Sequence, residues 1–194
     1  MSTKSILVLG GARSGKSQFA QDTAQATAQR VLYVATAEPL DEEMKHRIAN
    51  HQKSRPRHWR TLETPLGVGR AMAEALGDAE LVVIDCITLL VSNVLTKGGV
   101  EPENMDFEAA EKQAVAEIQS ILACMRQSSA KFIIVSNEVG LGLVPAAPVE
   151  RAYRDILGRA NQLLAKEVDE VYLLVAGIPL ELKRLATRVK EKEL

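Results

Sequence analysis

Short runs of consecutive apolar residues alternate along this chain with longer stretches in which apolar positions recur every three or four residues. Residues 6–9, 31–35, 81–85, 131–136 and 170–176 are runs of the first kind, rich in Val, Ile and Leu. Near-continuous apolar runs suit parallel strands covered on both faces. Between residues 107 and 125 the apolar positions fall at 107, 110, 114, 118, 121, 122 and 125, which is one face of a helix. Residues 18–29 read as a helix as well, and so do residues 41–53. The alternation predicts an α/β layered domain, a mainly parallel central sheet flanked by crossover helices. No repeat or low-complexity segment divides the chain, so residues 1–194 are expected to form one domain.

Composition narrows the classes. The 194 residues are 46% hydrophobic and 25% charged, as in an ordinary soluble globular protein. A net charge of −1 gives no global electrostatic case for nucleic acid or a membrane surface. No stretch approaches the roughly 20 apolar residues of a membrane span, and no secretion signal is seen at the start. The two cysteines, Cys86 and Cys124, form neither a metal-type spacing nor a disulfide framework, so a reduced, cytoplasmic setting is expected.

In open parallel sheets ligands bind beyond the carboxyl ends of the strands. That rule selects four segments, which should share one edge: residues 10–17, 36–39, 85–88 and 137–140. The first reads Gly10-Gly11-Ala12-Arg13-Ser14-Gly15-Lys16-Ser17, and satisfies G-x-x-x-x-G-K-[ST]. It stands between a predicted strand and a predicted helix, as this phosphate-binding loop requires. Its glycines let successive N–H groups face one anion at the positive end of the helix. Lys16 would reach the β- and γ-phosphates, and Ser17 would ligate Mg²⁺. Asp85, at the tip of its apolar run, is either a second anchor for Mg²⁺ or the N-cap of the segment that follows.

Residues 45–60 hold all three histidines and six Lys/Arg without an acid. Such concentrated charge in a nearly neutral chain points to an anion, although part of it suits a helix dipole or a solvated surface. On a helix over residues 41–53, Leu40, Met44 and Ile48 share a stripe that His51 continues, whereas His46 points to solvent. His58 lies past Pro56, beside the only Trp. Two readings stand for His51. It is a packed, hydrogen-bonded core histidine, or it is a nucleophile kept neutral by surrounding cations that also stabilise phosphoryl oxygens. Residues 137–145, Asn-Glu-Val-Gly-Leu-Gly-Leu-Val-Pro, are a shaped substrate loop or a plain connector with a capping Asn. Arg151, Asp155 and Arg159 form a ladder suited to surface ion pairing.

Taken together, GGARSGKS, ATAEPLDEEM, R-I-x-x-H-Q-x-x-R-P-x-x-W-R-T-x-E, DCIT, SNEVGLGLVP, YRDILGRANQ and AGIPLELK resemble one family over residues 6–183. It is the bifunctional adenosylcobinamide kinase/adenosylcobinamide-phosphate guanylyltransferase of cobalamin synthesis. The resemblance implies a P-loop NTPase-type (RecA-like) fold and two reactions. ATP or GTP phosphorylates the aminopropanol hydroxyl of adenosylcobinamide; GTP then gives its GMP to adenosylcobinamide phosphate, releasing pyrophosphate. GMP passes through a covalent guanylyl-histidine, which falls on His51, with Lys16 supporting the phosphates.

By the same resemblance, nucleotide contacts fall on Gly10, Gly11, Ala12, Arg13, Ser14, Gly15, Lys16 and Ser17, on Ala35, Thr36 and Ala37, on Gln52, Lys53, Ser54 and Arg55, and on Glu63 and Asp85. Ser17 and Asp85 would hold the metal. No general base stands out for the kinase step: Glu138 is one candidate, and positioning alone also serves. The family assembles as a homotrimer with sites near subunit boundaries. The competing readings are a single-activity small-molecule kinase in which His51 is structural, a nucleotide-dependent switch and, last, a nucleic-acid binder. Against the switch, no N-K-x-D motif occurs in the chain.

Overall fold

The computed structural model describes residues 5–39, 41–97 and 105–187. Its elements run β1 (Ser5–Gly10), α1 (Lys16–Thr27), β2 (Val31–Ala35), α2 (Glu42–Ser54), β3 (Arg60–Glu63), α3 (Val68–Ala75) and β4 (Leu81–Asp85). They continue α4 (Ile87–Thr96), α5 (Phe107–Gln127), β5 (Lys131–Val135), α6 (Pro148–Glu167), β6 (Glu170–Val175), β7 (Ile178–Glu181) and α7 (Leu182–Leu185). Seven strands form one sheet in the order β3-β2-β4-β5-β1-β6-β7. Neighbouring strands pair in parallel, except that β7 returns antiparallel along β6.

The five apolar runs are β1, β2, β4, β5 and β6, the last two each one residue shorter than the pattern suggests. Alternate residues feed two cores. Leu7, Leu32, Val82, Ile84, Phe132 and Ile134 pack under residues of α3 to α6. Val8, Tyr33, Val83, Ile133 and Val135 pack on the other face against Ala20 and Ala24 of α1 and against Trp59. Each such fully buried aliphatic side chain contributes about 1.5–3 kcal/mol. The predicted stripe on α5 holds, since Ala110, Ala114, Ile118, Ile121 and Leu122 are all buried.

Two strands lie outside the hydrophobic pattern. β3 is Arg-Thr-Leu-Glu at the sheet edge, exposed at three of its four residues. β7 is Ile-Pro-Leu-Glu at the opposite edge, where a proline is tolerated because one side of the backbone faces solvent. A strand needing only one neighbour carries no continuous apolar run.

Candidate active site

The loop between β1 and α1 is built for an anion. Gly10 adopts φ 152° and Gly15 φ 94°, and Arg13 also takes a positive φ of 57°. A Cβ on Gly10 would stand 2.6 Å from the Leu174 carbonyl oxygen and from Ser14 Oγ, so only glycine fits there. The left-handed Gly15 caps α1 without any side-chain hydrogen bond. The first-turn N–H groups of α1 therefore stay available to a ligand. Gly177, in the β6–β7 turn, braces the loop by donating to the Ser14 carbonyl at 3.0 Å.

Lys16 Nζ donates to the Gly11 carbonyl at 2.6 Å. Burial pulls its ammonium below the ordinary lysine value, and the neighbouring Cys86 and Asp85 oppose that shift. Ser14 Oγ is buried without a partner. A buried hydroxyl left unsatisfied is costly unless a ligand completes it.

All four segments selected by the strand-end rule contribute to one cavity of about 750 Å³. Its wall includes Ala12, Arg13, Ser14, Gly15, Lys16 and Ser17 from the loop, Ala35 and Ala37 beyond β2, Asp85 ending β4, and Asn137 beyond β5. Helix α2 closes the remaining side with Met44, Ile48, His51 and Gln52, joined by Arg55 and Glu63. Thus thirteen of the eighteen sequence-predicted site residues, His51 included, line one space. The others sit differently. Gly10 and Gly11 shape the loop behind the wall. Lys53 is exposed, and the side chain of Ser54 lies outside the described residues.

Thr36 is fully buried and acts between strands: its Oγ1 donates to the Cys86 carbonyl at 2.7 Å and accepts from the Cys86 N–H at 2.9 Å. The Asp85–Cys86 peptide bond that it clasps is cis.

The stripe on α2 has the predicted period but a different destination. Met44 and Ile48 are half-buried and His51 is exposed, and all three face the cavity rather than the core. The packed-core reading of His51 is therefore corrected: α2 spans the mouth of a cleft, and its apolar stripe lines that cleft. Leu40 lies outside the described residues. His46 is exposed, with Nδ1 3.1 Å from the Glu42 carbonyl, and His58 is exposed in the following loop.

Asp85 is not a helix cap. Cys86 holds the N-cap position of α4, and Asp85 Oδ2 instead accepts from the Tyr33 hydroxyl at 2.5 Å. Burial, then the Asp85 charge, raises Tyr33 well above the ordinary tyrosine value, so its proton stays on the phenol. Burial likewise pushes the Cys86 thiol up to about 12. Glu138 does not line the cavity; its Oε1 accepts from the Gly140 N–H at 2.6 Å, which makes it a turn-former rather than a base.

The loop after β5 is held in shape. Arg154 donates to the carbonyls of Gly140 at 2.6 Å and Leu143 at 3.1 Å, and Arg151 to that of Pro145 at 3.0 Å. Of the residues expected to pair ions on α6, Arg151 clamps the loop instead, whereas Arg159 does pair, with Glu111 of α5 at 2.8 Å. Leu141, Leu143 and Val144 project from this clamped loop at 86%, 97% and 73% exposure. Sequence reasoning missed Tyr33, which sits inside an apolar strand run and carries no signal of its own there.

A strand–loop–helix phosphate cradle at the carboxyl edge of a parallel sheet defines a P-loop nucleotide-binding protein. Two solved bacterial ATPases share that fold. The EscN ATPase of the enteropathogenic E. coli type III secretion system superposes with TM-score 0.52 at 12% identity, covering 90% of this chain and 43% of that one. A prototypical type III secretion ATPase gives 0.51 at 12% identity, covering 97% and 59%. The chain matches the cobinamide kinase / cobinamide phosphate guanyltransferase family over residues 6–182, and it belongs to that family. The bifunctional adenosylcobalamin biosynthesis protein CobU of Escherichia coli K12 is 43% identical over 180 residues, 92% of this chain and 99% of that protein. CobP of Pseudomonas aeruginosa, bearing the same description, is 38% identical over 177 residues, covering 91% and 96%.

Proposed function

We propose that this chain uses one cavity for both reactions of its family, with His51 carrying GMP between them. The observation that carries the reading is the shared wall: the phosphate loop and His51 border the same 750 Å³ space. In the transferase step an imidazole nitrogen of His51 attacks the α-phosphorus of GTP. The N–P bond forms as the bond from the α-phosphorus to the bridging oxygen breaks, and pyrophosphate leaves. Loop N–H groups and Lys16 stabilise that departing charge. A phosphate oxygen of adenosylcobinamide phosphate then attacks the same phosphorus, the N–P bond breaks, and adenosylcobinamide-GDP forms with His51 restored.

In the kinase step the loop holds ATP or GTP while the adenosylcobinamide hydroxyl attacks the γ-phosphorus and the nucleoside diphosphate departs. With Glu138 committed to its turn, positioning carries this step and the hydroxyl proton passes to solvent. Gly10, Gly11, Ala12, Arg13, Ser14, Gly15 and Ser17 form the cradle, Ala35, Ala37, Gln52 and Glu63 line the nucleoside side, and Arg55 faces a phosphate oxygen. Thr36 acts by setting the ends of β2 and β4. Lys53 and Ser54 are nucleotide contacts by family resemblance alone.

Ser17 and Asp85 offer one hydroxyl and one carboxylate to the cavity. This hard-oxygen pair suits Mg²⁺, which takes few protein ligands and completes its shell with phosphate and water. When bound there, Mg²⁺ supplies charge neutralisation for the triphosphate. The clamped loop over residues 139–145 presents its apolar side chains to the bulky corrinoid acceptor. No described helix is long and apolar enough to cross a membrane. The proposed setting is a single-domain chain working in the cytoplasm as a homotrimer.

The test is intact mass and α-labelling with GTP and Mg²⁺. The wild-type protein should gain a GMP-sized, acid-labile increment, and His51→Ala none. Lys16→Ala should slow labelling and adenosylcobinamide phosphorylation together, by about 10²-fold or more. A wild-type protein that phosphorylates adenosylcobinamide yet never takes up label would reduce the assignment to a simple kinase. Label persisting in His51→Ala would move the nucleophile elsewhere.

A further inference from the structure

Asp85 and Arg55 belong to segments 30 residues apart, yet one side chain touches both. In the β2–β4 pairing Ala35 stands opposite Asp85, so Tyr33 lies two residues back along β2 on the same face of the sheet. The length of its ring carries the hydroxyl forward to Asp85 Oδ2 at 2.5 Å. An O–H···O⁻ bond of that length is charge-assisted, and it orients the carboxylate that accepts it.

The ring itself is a platform. The Arg55 guanidinium carbon stands 3.8 Å from the ring centroid. Trp59 stacks with Tyr33 at 6.3 Å between centroids and 26° between planes, and Trp59 is buried. Tyr33, itself braced by Trp59, therefore holds the Arg55 guanidinium against its ring at the wall of the cavity that both line. Nε and Nη1 of Arg55 are buried and have no hydrogen-bond partner. Buried guanidinium donors without acceptors are costly, and an incoming anion removes that cost.

We propose that Tyr33 is the positioning residue of this site, aligning the Asp85 carboxylate through its hydroxyl and the Arg55 guanidinium through its ring. Its two halves serve two parts of one ligand: Arg55 meets an anionic oxygen of the nucleotide, and Asp85 meets the magnesium that accompanies it. The assignment rests on the nucleotide-binding reading above, and the two separate cleanly by experiment. Tyr33→Phe removes the hydroxyl and keeps the platform, whereas Tyr33→Leu removes both.

GTP binding by calorimetry, once in EDTA and once in excess Mg²⁺, is the measurement. Melting curves and the emission of Trp59 report the fold. In EDTA, Tyr33→Phe should bind GTP within about twofold of wild type. The gain in affinity that Mg²⁺ gives wild type should shrink by roughly three- to tenfold, the value of one hydrogen bond. Tyr33→Leu should lose affinity in EDTA as well.

If Tyr33→Leu fails to fold, Arg55→Lys takes its place. It keeps the charge, loses the stacked planar donor, and should weaken binding in EDTA. A Tyr33→Phe protein whose Mg²⁺ gain equals that of wild type overturns the proposal. So does one that loses the same factor with and without Mg²⁺. A wild type that binds GTP but forms no adduct would instead overturn the covalent transferase reading, leaving Tyr33 to be judged on the Mg²⁺ comparison.

Discussion

Gln52 donates through Nε2 to Glu63 Oε1 at 2.8 Å, tying the residue after His51 to the end of strand β3. Glu63 in turn stands opposite Ala35 in the β2–β3 register. Helix α2, which bears the proposed nucleophile, is thereby fastened to the carboxyl end of edge strand β3, at the same end of the strands as the phosphate loop. Both side chains are exposed, so the bond contributes little to global stability, about 1 kcal/mol or less. Its effect should appear in alignment. Glu63→Ala and Gln52→Ala are each expected to slow GMP labelling of His51 by about tenfold or more, with melting temperatures close to wild type. The double variant should be little worse than either single one, because one contact is lost in each case. Additive losses would mean that the two residues touch the nucleotide independently.

Burial sets a high-pH limit on the fold. The Cys86 thiol is pushed up to about 12 from an ordinary value near 9, and Tyr33 is raised as well. Each group ionises more readily in the unfolded chain than in the folded one. The stability they contribute is therefore complete below about pH 9 and is lost as pH climbs toward the folded values. The melting temperature should hold level through pH 8.5 and fall beyond it, with Cys86→Ser removing part of the fall. At pH 8 native Cys86 should carry about a thousandfold less thiolate than a free cysteine and resist iodoacetamide accordingly. Rapid alkylation of the folded protein would refute that environment.

How legible the fold was depends on what each element needs. Strands buried on both faces, such as Leu81–Asp85, must be apolar throughout and announce themselves. Edge strands such as Arg60–Glu63 have no such need and stay silent. The cradle over residues 10–17 was readable because phosphate binding constrains consecutive residues. The placement of His51 was only half readable: its helical period was correct, but periodicity reports which residues share a face and never what that face meets. Tyr33 was invisible for the opposite reason. Its ring satisfies the strand pattern, and its hydroxyl matters only after Asp85 is brought beside it from another strand.

Helices α3 and α5 cross at Gly69 with no room to spare. A Cβ built there would stand 2.3 Å from the Ser120 backbone carbon and 2.3 Å from its Oγ. Gly69→Ala should cost about 1–3 kcal/mol through overpacking. For a chain of this size that is a drop of roughly 2–12 °C in melting temperature. Ser120→Ala in the same protein relieves only the Oγ contact, since the backbone clash remains, and should restore only part of the loss. GMP labelling below the melting transition should be unchanged, because this crossing lies away from the phosphate loop. A variant melting with wild type would mean that the two helices separate freely.

Arg154 is the lever for the acceptor side. Its Nη2 donates to Gly140 at 2.6 Å and its Nη1 to Leu143 at 3.1 Å, so a single planar fork holds the loop from which Leu141 and Leu143 project. Removing the fork frees those carbonyls to solvent and lets the apolar side chains wander, at little cost to the core. The half-reaction that needs only GTP should therefore proceed in Arg154→Ala at nearly the wild-type rate. The KM for adenosylcobinamide phosphate in the complete reaction should rise several-fold, in proportion to one or two lost hydrogen bonds. Arg154→Lys should rescue little, since an ammonium cannot span two carbonyls as a guanidinium does. Equal losses in the GTP half-reaction and in the complete reaction would assign the loop to the nucleotide, and the acceptor would then have to be sought on another face of the cavity.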